Sequence, residues 1–163
     1  FIVNVQAQKI KTKEIDKFTK SEVIETSTER LYSKNLMGTG FCNIFQCSIR
    51  KVDGVYSMPA GILMNDIVKY DENSNVVFLL SNNETITLKT SYTGIGGERF
   101  ANGYWFYTAF ILSQSDVDKL KAYDVESIRV NYLGGCFDRD LKNNKKGIIS
   151  KMLKLVDSEK SKK

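Results

Sequence analysis

The chain has 163 residues, of which 42% are hydrophobic, so a single domain of ordinary size can bury a core without disulfides or metals. It contains no histidine, which excludes Ser-His-Asp and Cys-His catalysis, histidine-ligated zinc and an imidazole proton shuttle. The formal net charge is +5, and no run of about eighteen apolar residues is present, so we predict no transmembrane segment.

The basic charge is concentrated at the two ends of the sequence. Residues 1–20 carry five Lys and two acidic residues, and residues 142–163 carry eight Lys and two acidic residues. The segment between them has eleven basic and fifteen acidic residues, so the body of the protein is mildly acidic. A nucleic-acid interface places basic residues on a structured face, beside aromatic rings that stack on bases. We therefore interpret both ends as solvated and predict no nucleic-acid partner.

The first eight residues, FIVNVQAQ, are typical of the end of an apolar signal segment. Val5 and Ala7 fill the small-residue positions of a cleavage site, which would make Gln8 the first mature residue. An edge strand over the same residues is the alternative. The signal remnant is favoured, so we expect the protein to be periplasmic or secreted.

Residues 21–64 predict three strands. The runs are SEVIETSTERLYS, FCNIFQCSIRKV and VYSMPAGILM, and Asp53-Gly54 between the last two is a strong hairpin signal. The second run alternates apolar and polar residues, as a half-buried antiparallel strand does. Pro59 in the third run lacks the backbone N–H of a strand ladder, and therefore indicates an edge strand or a bulge.

Two further strand-like runs, residues 76–81 and 84–90, flank Asn82-Asn83, which predicts a tight hairpin. The preceding DENSN segment, residues 71–75, has the first, third and fifth positions of a calcium loop. The Gly at the sixth position and the Glu at the twelfth are missing. A polar turn is therefore favoured over a metal site.

The glycine-rich segment SYTGIGGERFANGYWFY, residues 91–107, leads into the next strand. It lacks the Gly-Lys-Ser/Thr end of a Walker loop and the third Gly of a dinucleotide fingerprint, and no helix follows, so phosphate binding is disfavoured. Its aromatic residues are typical of a recognition surface, but residues 104–107 belong to a predicted central strand whose rings alternate into the core. If a ligand-binding site exists, we predict it at the tip of this loop, with contacts from Tyr92, Arg99, Phe100 and Asn102.

The apolar run YWFYTAFIL, residues 104–112, predicts a central strand that is covered on both faces. A helix is predicted after it. Ser113 and Asp116 have the spacing of a capping box, and Val117 and Leu120 supply the buried stripe.

A strand at VESIRVNYL, residues 125–133, and a glycine turn follow. The chain then ends in an amphipathic helix. That helix has no aromatic anchor and has a sheet to cover, so we expect it to dock on its own sheet rather than on a membrane or a partner. Its apolar stripe consists of Ile148, Ile149, Met152, Leu155 and Val156.

Asp138 and Asp140 form the best available pair for acid–base chemistry. They share a strand face if their segment is extended, with Arg139 opposite, and glycosidases use two carboxyl groups roughly 5–10 Å apart. An Asp-x-Asp motif near a helix start is more often a turn and a cap. A carboxylate-dependent hydrolase acting on glycans is therefore the alternative to a non-catalytic protein.

The three cysteines, Cys42, Cys47 and Cys136, lack the spacing of metal ligands. On one strand Cys42 and Cys47 would lie about 16 Å apart, beyond the reach of a disulfide, so at most Cys136 bridges one of them. We expect all three to behave as small buried hydrophobic residues, and we predict no metal and no cofactor.

The segment from about Tyr104 to Val156 resembles the C-terminal part of small exported proteins of unknown function from Bacteroides-like bacteria. The shared features are an apolar strand, a short LSQSDVDKLK helix, an IRV strand, a glycine turn and a terminal amphipathic helix. The resemblance covers about a third of the chain. It implies an envelope location and brings no catalytic residues.

We predict a signal remnant or disordered N-terminus at residues 1–8, a single domain at residues 9–157 and a Lys-rich tail at residues 158–163. Strands in hairpin order followed by late helices predict an α+β fold. We expect a mostly antiparallel β-sheet, sandwich-like or strongly curved, with two helices, one after residue 113 and one at the C-terminus. The predicted function is that of an exported, non-catalytic binding or accessory protein of the bacterial cell envelope, with a glycan, peptide or protein ligand.

Overall fold

The computed structural model describes residues 8–36, 41–65, 67–90, 94–95, 98–100 and 103–159. The predicted signal remnant, apart from Gln8, lies outside these residues, as does most of the Lys-rich tail. The strands are β1 (Ile10–Ile15), β2 (Glu22–Thr26), β3 (Glu29–Leu36), β4 (Phe41–Cys47), β5 (Arg50–Val52), β6 (Val55–Met64), β7 (Lys69–Tyr70), β8 (Asn75–Leu80), β9 (Thr85–Lys89), β10 (Gly94–Ile95), β11 (Glu98–Phe100), β12 (Gly103–Leu112), β13 (Val125–Tyr132) and β14 (Gly135–Asp140). The helices are α1 (Gln114–Ala122), α2 (Asn143–Lys146) and α3 (Ile148–Ser158).

The strands form two main antiparallel sheets. The larger sheet has the order β1-β2-β5-β6-β12-β11, and β4 pairs with both β6 and β3. The smaller sheet has the order β14-β13-β8-β9, and β7 and β10 form a separate pair. With helices after residue 113 and at the C-terminus, this architecture confirms the predicted α+β class.

The run at residues 41–52, predicted as one strand, is divided into β4 and β5 at Ser48 and Ile49. Ile49 bonds to β2 instead: its carbonyl accepts from the Thr26 N–H, and its N–H donates to Thr26 Oγ1, both at 3.0 Å. Pro59 faces this division from β6, and its carbonyl accepts from the Ser48 N–H at 3.0 Å. In an antiparallel sheet the N–H and C=O of one residue point toward the same neighbouring strand. The N–H that Pro59 lacks would therefore point at the gap between β4 and β5, where the ladder of hydrogen bonds is already interrupted. Pro59 therefore marks neither an edge strand nor a bulge, and that prediction is wrong.

The predicted hairpins are confirmed, and their turns carry the backbone angles that those residues favour. Asp53 and Gly54, between β5 and β6, have φ values of 47° and 87°, as a type I′ turn requires. Asn83 has φ 66° in the turn between β8 and β9. Gly134 has φ 88° in the turn between β13 and β14. Such angles are readily adopted by glycine and tolerated by Asn and Asp.

The hydrophobic core lies between the larger sheet on one side and the smaller sheet and helices on the other. Phe45 of β4 meets Phe78 of β8 edge to face, with ring centroids 6.1 Å apart and planes at 80°. Tyr70 of β7 stacks on Phe106 of β12, with centroids 3.7 Å apart and planes at 9°. These buried contacts couple elements that are distant in sequence.

The C-terminal helix α3 packs against β2 and α1, as expected for a helix that docks on its own fold. Thr26 Oγ1 lies 3.4 Å from Met152 Sδ in this contact. The predicted stripe is buried except for the half-buried Leu155, and Leu153 joins it. No described helix has the length and apolar character needed to cross a membrane.

A charged cluster around Asp157 joins α3 to the larger sheet and to α1. The Tyr56 hydroxyl and the Lys121 ammonium donate hydrogen bonds to the Asp157 carboxylate, and Lys51 Nζ lies 3.2 Å from it. Lys51 and Lys121 also place their ammonium groups 4.7 and 5.5 Å from the centroid of the Tyr56 ring. The cluster therefore combines charge-assisted hydrogen bonds with cation–π contacts.

Replacing Ser113 by Ala is expected to lower the free energy of unfolding by about 1 kcal/mol. Ser113 Oγ accepts from the Asp116 N–H at 3.1 Å, and Asp116 Oδ2 accepts from the Ser113 N–H at 3.0 Å, which confirms the predicted capping box of α1. Urea denaturation measures the loss. Ser115→Ala makes the same chemical change at an exposed helical position and is the control. Equal losses in the two variants would contradict the capping role of Ser113.

Candidate functional site

The predicted loop contacts are only partly described: Tyr92 and Asn102 lie outside the described residues, and Arg99 and Phe100 are described in their backbone alone. The latter two belong to β11, where Arg99 pairs with Tyr104 and Phe100 with Gly103. Both residues therefore lie on the strand that pairs with the beginning of β12. The participation of the four residues in ligand binding stays a prediction.

The strand β12 is covered on one face only. Phe106 and Phe110 are buried on its inner face, whereas Tyr107 and Ile111 on its outer face are 57% and 69% exposed. This exposure shows that no described element lies over the outer face at these residues. The prediction of a strand covered on both faces is therefore wrong. The rings that follow Gly103 are divided between the core and an open surface.

Trp105 and Tyr107 form a stacked aromatic pair on this outer face. Their ring centroids are 5.6 Å apart and their planes differ by 12°. Gly61 lies opposite Tyr107 in β6, and a Cβ atom there would come within 3.2 Å of both rings and of Gln46 Nε2. The absence of a side chain at Gly61 therefore allows both rings to lean across β6.

A shallow cavity of about 190 Å³ opens beside Tyr107. It is smaller than the roughly 300–1,000 Å³ of pockets that enclose a drug-sized ligand. It therefore fits one ring-sized group, and the rest of a larger ligand would lie over the open strands. Its lining includes Glu25, Thr28, Gln46, Ser48, Pro59 and Tyr107.

Glu25 supplies a carboxylate on the polar side of this cavity. The buried Ser48 donates its hydroxyl to Glu25 Oε1 at 3.3 Å, and Lys11 Nζ lies 3.8 Å from the same oxygen. These contacts restrain the carboxylate at the rim. The Glu25 carboxylate accepts hydrogen bonds, and the Thr28 hydroxyl and the Gln46 amide can both donate and accept them.

An aromatic surface beside hydrogen-bonding side chains is complementary to a sugar ring. The C–H groups on one side of a pyranose carry partial positive charge and pack against the electron-rich face of an aromatic ring. The hydroxyl groups at the edge of the sugar donate to carboxylates and exchange hydrogen bonds with amides. The arrangement therefore suits reversible binding of a sugar unit.

This site is formed by residues that the sequence pattern predicts to be buried in the core. Alternation places Trp105 and Tyr107 on the face opposite Phe106, but every ring in the run is apolar enough to be buried. The signal that marks the open face is Gly61, because an isolated glycine within a strand often indicates close approach of other groups. Its pairing with Tyr107 becomes visible only when the strand order is known.

The residues of the alternative catalytic site are placed as the extended spacing predicts. Asp138 and Asp140 share one face of β14, and Arg139 lies on the other face, 5.5 and 5.2 Å from the ring centroids of Tyr32 and Phe137. The interpretation of this motif as a turn and a cap is therefore wrong.

A groove of about 370 Å³ lies beside these two carboxylates on the smaller sheet. Arg129 donates two hydrogen bonds to Asp138, from Nε at 2.6 Å and from Nη2 at 2.5 Å. This bidentate contact lowers the pKa of Asp138 below its ordinary value. Ser127 donates its hydroxyl to Asp140 at 2.6 Å. A general acid needs a raised pKa, and Asp138 has the opposite shift.

The cysteines differ from one another in their surroundings. Cys47 is fully buried, and burial, followed by the negative charge of Glu29, raises the pKa of its thiol to about 12. Cys136 is exposed on the edge strand β14, so the prediction that all three cysteines are buried is wrong. Both thiols are free. The side chain of Cys42 lies outside the described residues.

The DENSN segment forms the predicted polar turn. Asp71 Oδ1 accepts from the Asn73 N–H at 3.1 Å and from Ser74 Oγ at 2.8 Å. Over the described ranges, no group of three or more Cys, Asp or Glu side chains is arranged to hold a metal ion.

Comparison of the chain with family models, curated proteins and solved structures gives no significant match.

Proposed function

We propose that the chain is an exported, non-catalytic binding protein of the bacterial cell envelope and that its ligand is a glycan. The observation that supports this proposal is the stacked pair formed by the half-buried Trp105 and the exposed Tyr107, since the Tyr107 ring lies open to solvent beside a cavity with a polar side. Rings needed only for the core would be buried, as Phe106 is. In the proposed complex one sugar unit stacks on Tyr107, and its hydroxyl groups bond to Glu25 and Gln46.

The envelope location draws its support from the sequence. Residues 104–156 resemble part of small exported proteins of unknown function. Cell fractionation tests this part of the proposal, and recovery of the protein in the cytoplasm would contradict it.

The alternative, a carboxylate-dependent hydrolase, has less support. Glycoside hydrolysis requires one carboxyl group that is protonated at the working pH, whereas Arg129 favours the ionised form of Asp138. Turnover of a glycoside that is lost in Asp138→Asn would overturn the non-catalytic assignment.

Tyr107→Ala is expected to weaken glycan binding about tenfold or more, because the exposed stacking surface is removed. A glycan array probed with the purified chain identifies a ligand, and isothermal titration calorimetry measures its affinity for each variant. Tyr123→Ala removes the same side chain from a 39% exposed position at the end of α1 and is the matched control. Its affinity should equal that of the wild type.

Gly61→Ala tests the same site from the neighbouring strand, because the added Cβ displaces the two rings. If Tyr107→Ala and Gly61→Ala both bind with unchanged affinity, the glycan binds at another place on the protein. The next candidates are then the loop residues Tyr92, Arg99, Phe100 and Asn102. An array without any glycan that binds would contradict the ligand class.

A further inference from the structure

The turn between β1 and β2 is held by a compact set of hydrogen bonds around Asp16. Its Oδ1 accepts from the backbone N–H groups of Phe18 and Thr19, both at 2.8 Å. Its carbonyl accepts from the Lys20 N–H at 2.8 Å, and its own N–H donates to the Ser21 carbonyl at 2.9 Å. The turn therefore has a defined conformation.

This turn directs two apolar side chains away from the fold. Phe18 is 82% exposed and Ile15 is 66% exposed, and neither belongs to the hydrophobic core. Single exposed apolar residues are common on protein surfaces. Two of them at the end of one ordered hairpin form a projecting apolar tip that can enter another apolar phase.

Lysine side chains surround the apolar tip. Lys17 Nζ lies 4.9 Å from the centroid of the Phe18 ring, and Lys20 Nζ donates to the Lys17 carbonyl at 2.9 Å. Lys11 and Lys13 lie further back along β1, where their ammonium groups are 3.8 Å from Glu25 and 2.8 Å from Glu159. Apolar side chains flanked by lysines are typical of surfaces that bind the interface of a negatively charged membrane.

The end of the described chain lies beside β1. Glu159, the last described residue, accepts a hydrogen bond from Lys13 at 2.8 Å. The sequence continues as KSKK, residues 160–163. The two Lys-rich ends, which are separate in the sequence, therefore start from adjoining points of the fold.

We propose that the β1–β2 turn docks on an anionic phospholipid bilayer, with Phe18 and Ile15 inserted into the interface and the lysines facing the headgroups. Each Lys near an anionic surface strengthens such binding about fivefold. The apolar tip adds a second contribution, and stable attachment of a protein to a membrane usually takes two. This attachment does not depend on the proposed glycan site.

A bilayer fits this surface better than a nucleic acid does. Single-stranded nucleic acids bind by stacking bases on aromatic rings. Here the ring is accompanied by the aliphatic Ile15, which acyl chains can accommodate and a base cannot stack on.

Co-sedimentation of the full chain with vesicles tests the proposal. We expect binding to vesicles of equal parts phosphatidylglycerol and phosphatidylcholine, weaker binding to pure phosphatidylcholine, and a decrease with added salt. Phe18→Ser should lower the partition coefficient about tenfold or more. Leu133→Ser replaces a 51% exposed apolar residue at another hairpin turn, and is expected to bind like the wild type.

Removal of the lysines tests the charged part of the surface. The double variant Lys17→Glu, Lys20→Glu and a chain that ends at Glu159 should each bind the anionic vesicles at least about fivefold more weakly. Circular dichroism verifies that each variant is folded. No partition of the wild type, or equal partition of Phe18→Ser and Leu133→Ser, would overturn the proposal. Binding to double-stranded DNA that Phe18→Ser leaves unchanged, without vesicle binding, would assign the basic surface to nucleic acid instead.

Phe18→Trp gives a measurement that does not depend on loss of binding. An inserted indole should shift its emission to shorter wavelength with anionic vesicles and should be quenched by brominated lipid. The wild type supplies the background from Trp105, its only tryptophan. A variant that sediments with vesicles but shows neither change beyond this background would contradict insertion of the turn.

Discussion

Phe78→Ala is expected to lower the free energy of unfolding by about 3–5 kcal/mol, a large part of the stability of one domain. Phe78 is fully buried in the smaller sheet and meets Phe45 of the larger sheet edge to face. Truncation removes apolar surface from the core, and the two sheets cannot close the remaining cavity completely. The lost contact joins the larger sheet to the smaller sheet, so the substitution lowers the stability of the whole fold.

Urea denaturation followed by circular dichroism measures this loss. Leu79→Ala, at the next position of β8, truncates a side chain that is 37% exposed and should cost less than about 1 kcal/mol. Phe78→Leu keeps most of the volume and should remain folded if Phe78→Ala does not. Similar losses for Phe78→Ala and Leu79→Ala would show that the two sheets do not share one packed core.

Asp157→Asn is expected to lower the free energy of unfolding by about 2 kcal/mol at neutral pH, because charge-assisted hydrogen bonds from three side chains are weakened. The side chain of Asp157 is 33% exposed, so the effect stays below that of a fully buried ion pair. Burial alone would raise the pKa of Asp157, but the hydrogen bonds from Lys121, Tyr56 and Lys51 lower it below its ordinary value.

The lowered pKa gives this prediction a definite pH dependence. The stabilisation is complete above the ordinary pKa of an aspartate in the unfolded chain, near 4, and is lost as the pH falls through the lower pKa of the folded state. The difference in stability between the wild type and Asp157→Asn should therefore be constant near neutrality and shrink below about pH 4. Urea titrations at a series of pH values measure it.

Glu72→Gln supplies the control for loss of one negative charge, since Glu72 lies in an exposed turn. Its stability should follow that of the wild type at every pH. A difference between the wild type and Asp157→Asn that is the same at pH 3 and pH 7 would contradict the charged contact.

Elements whose determinants lie within a few residues could be predicted from the sequence. The capping box at Ser113, the turn at Asp53-Gly54 and the stripe of α3 each depend on local chemistry, and the structure confirms them. The division of β4 from β5 could not be predicted, because it depends on the bond between Ile49 and Thr26 of another strand.

The candidate site could not be predicted from the sequence either, because it also depends on contacts between strands that are distant in the sequence. Residues 104–107 are all aromatic, so the pattern predicts a strand that is buried on both faces. Only the order of the strands shows which of the two faces is covered by the smaller sheet and the helices. Gly61 and Tyr107 are far apart in the sequence, and they lie opposite each other only because β6 and β12 are neighbouring strands. The exposure of Phe18 could not be predicted either. A single aromatic residue among lysines has no apolar periodicity that would indicate whether its side chain is buried or exposed.

The contact between the beginning and the end of the fold also determines when the fold can be completed. Thr26 in β2 contacts Met152, and Lys13 in β1 contacts Glu159, so the first two strands gain these contacts only after the last helix has been synthesised. Contacts between such distant segments slow folding, because a long loop must close before they form. Until α3 has emerged from the ribosome, β1 and β2 therefore lack both contacts, and this part of the fold is completed late.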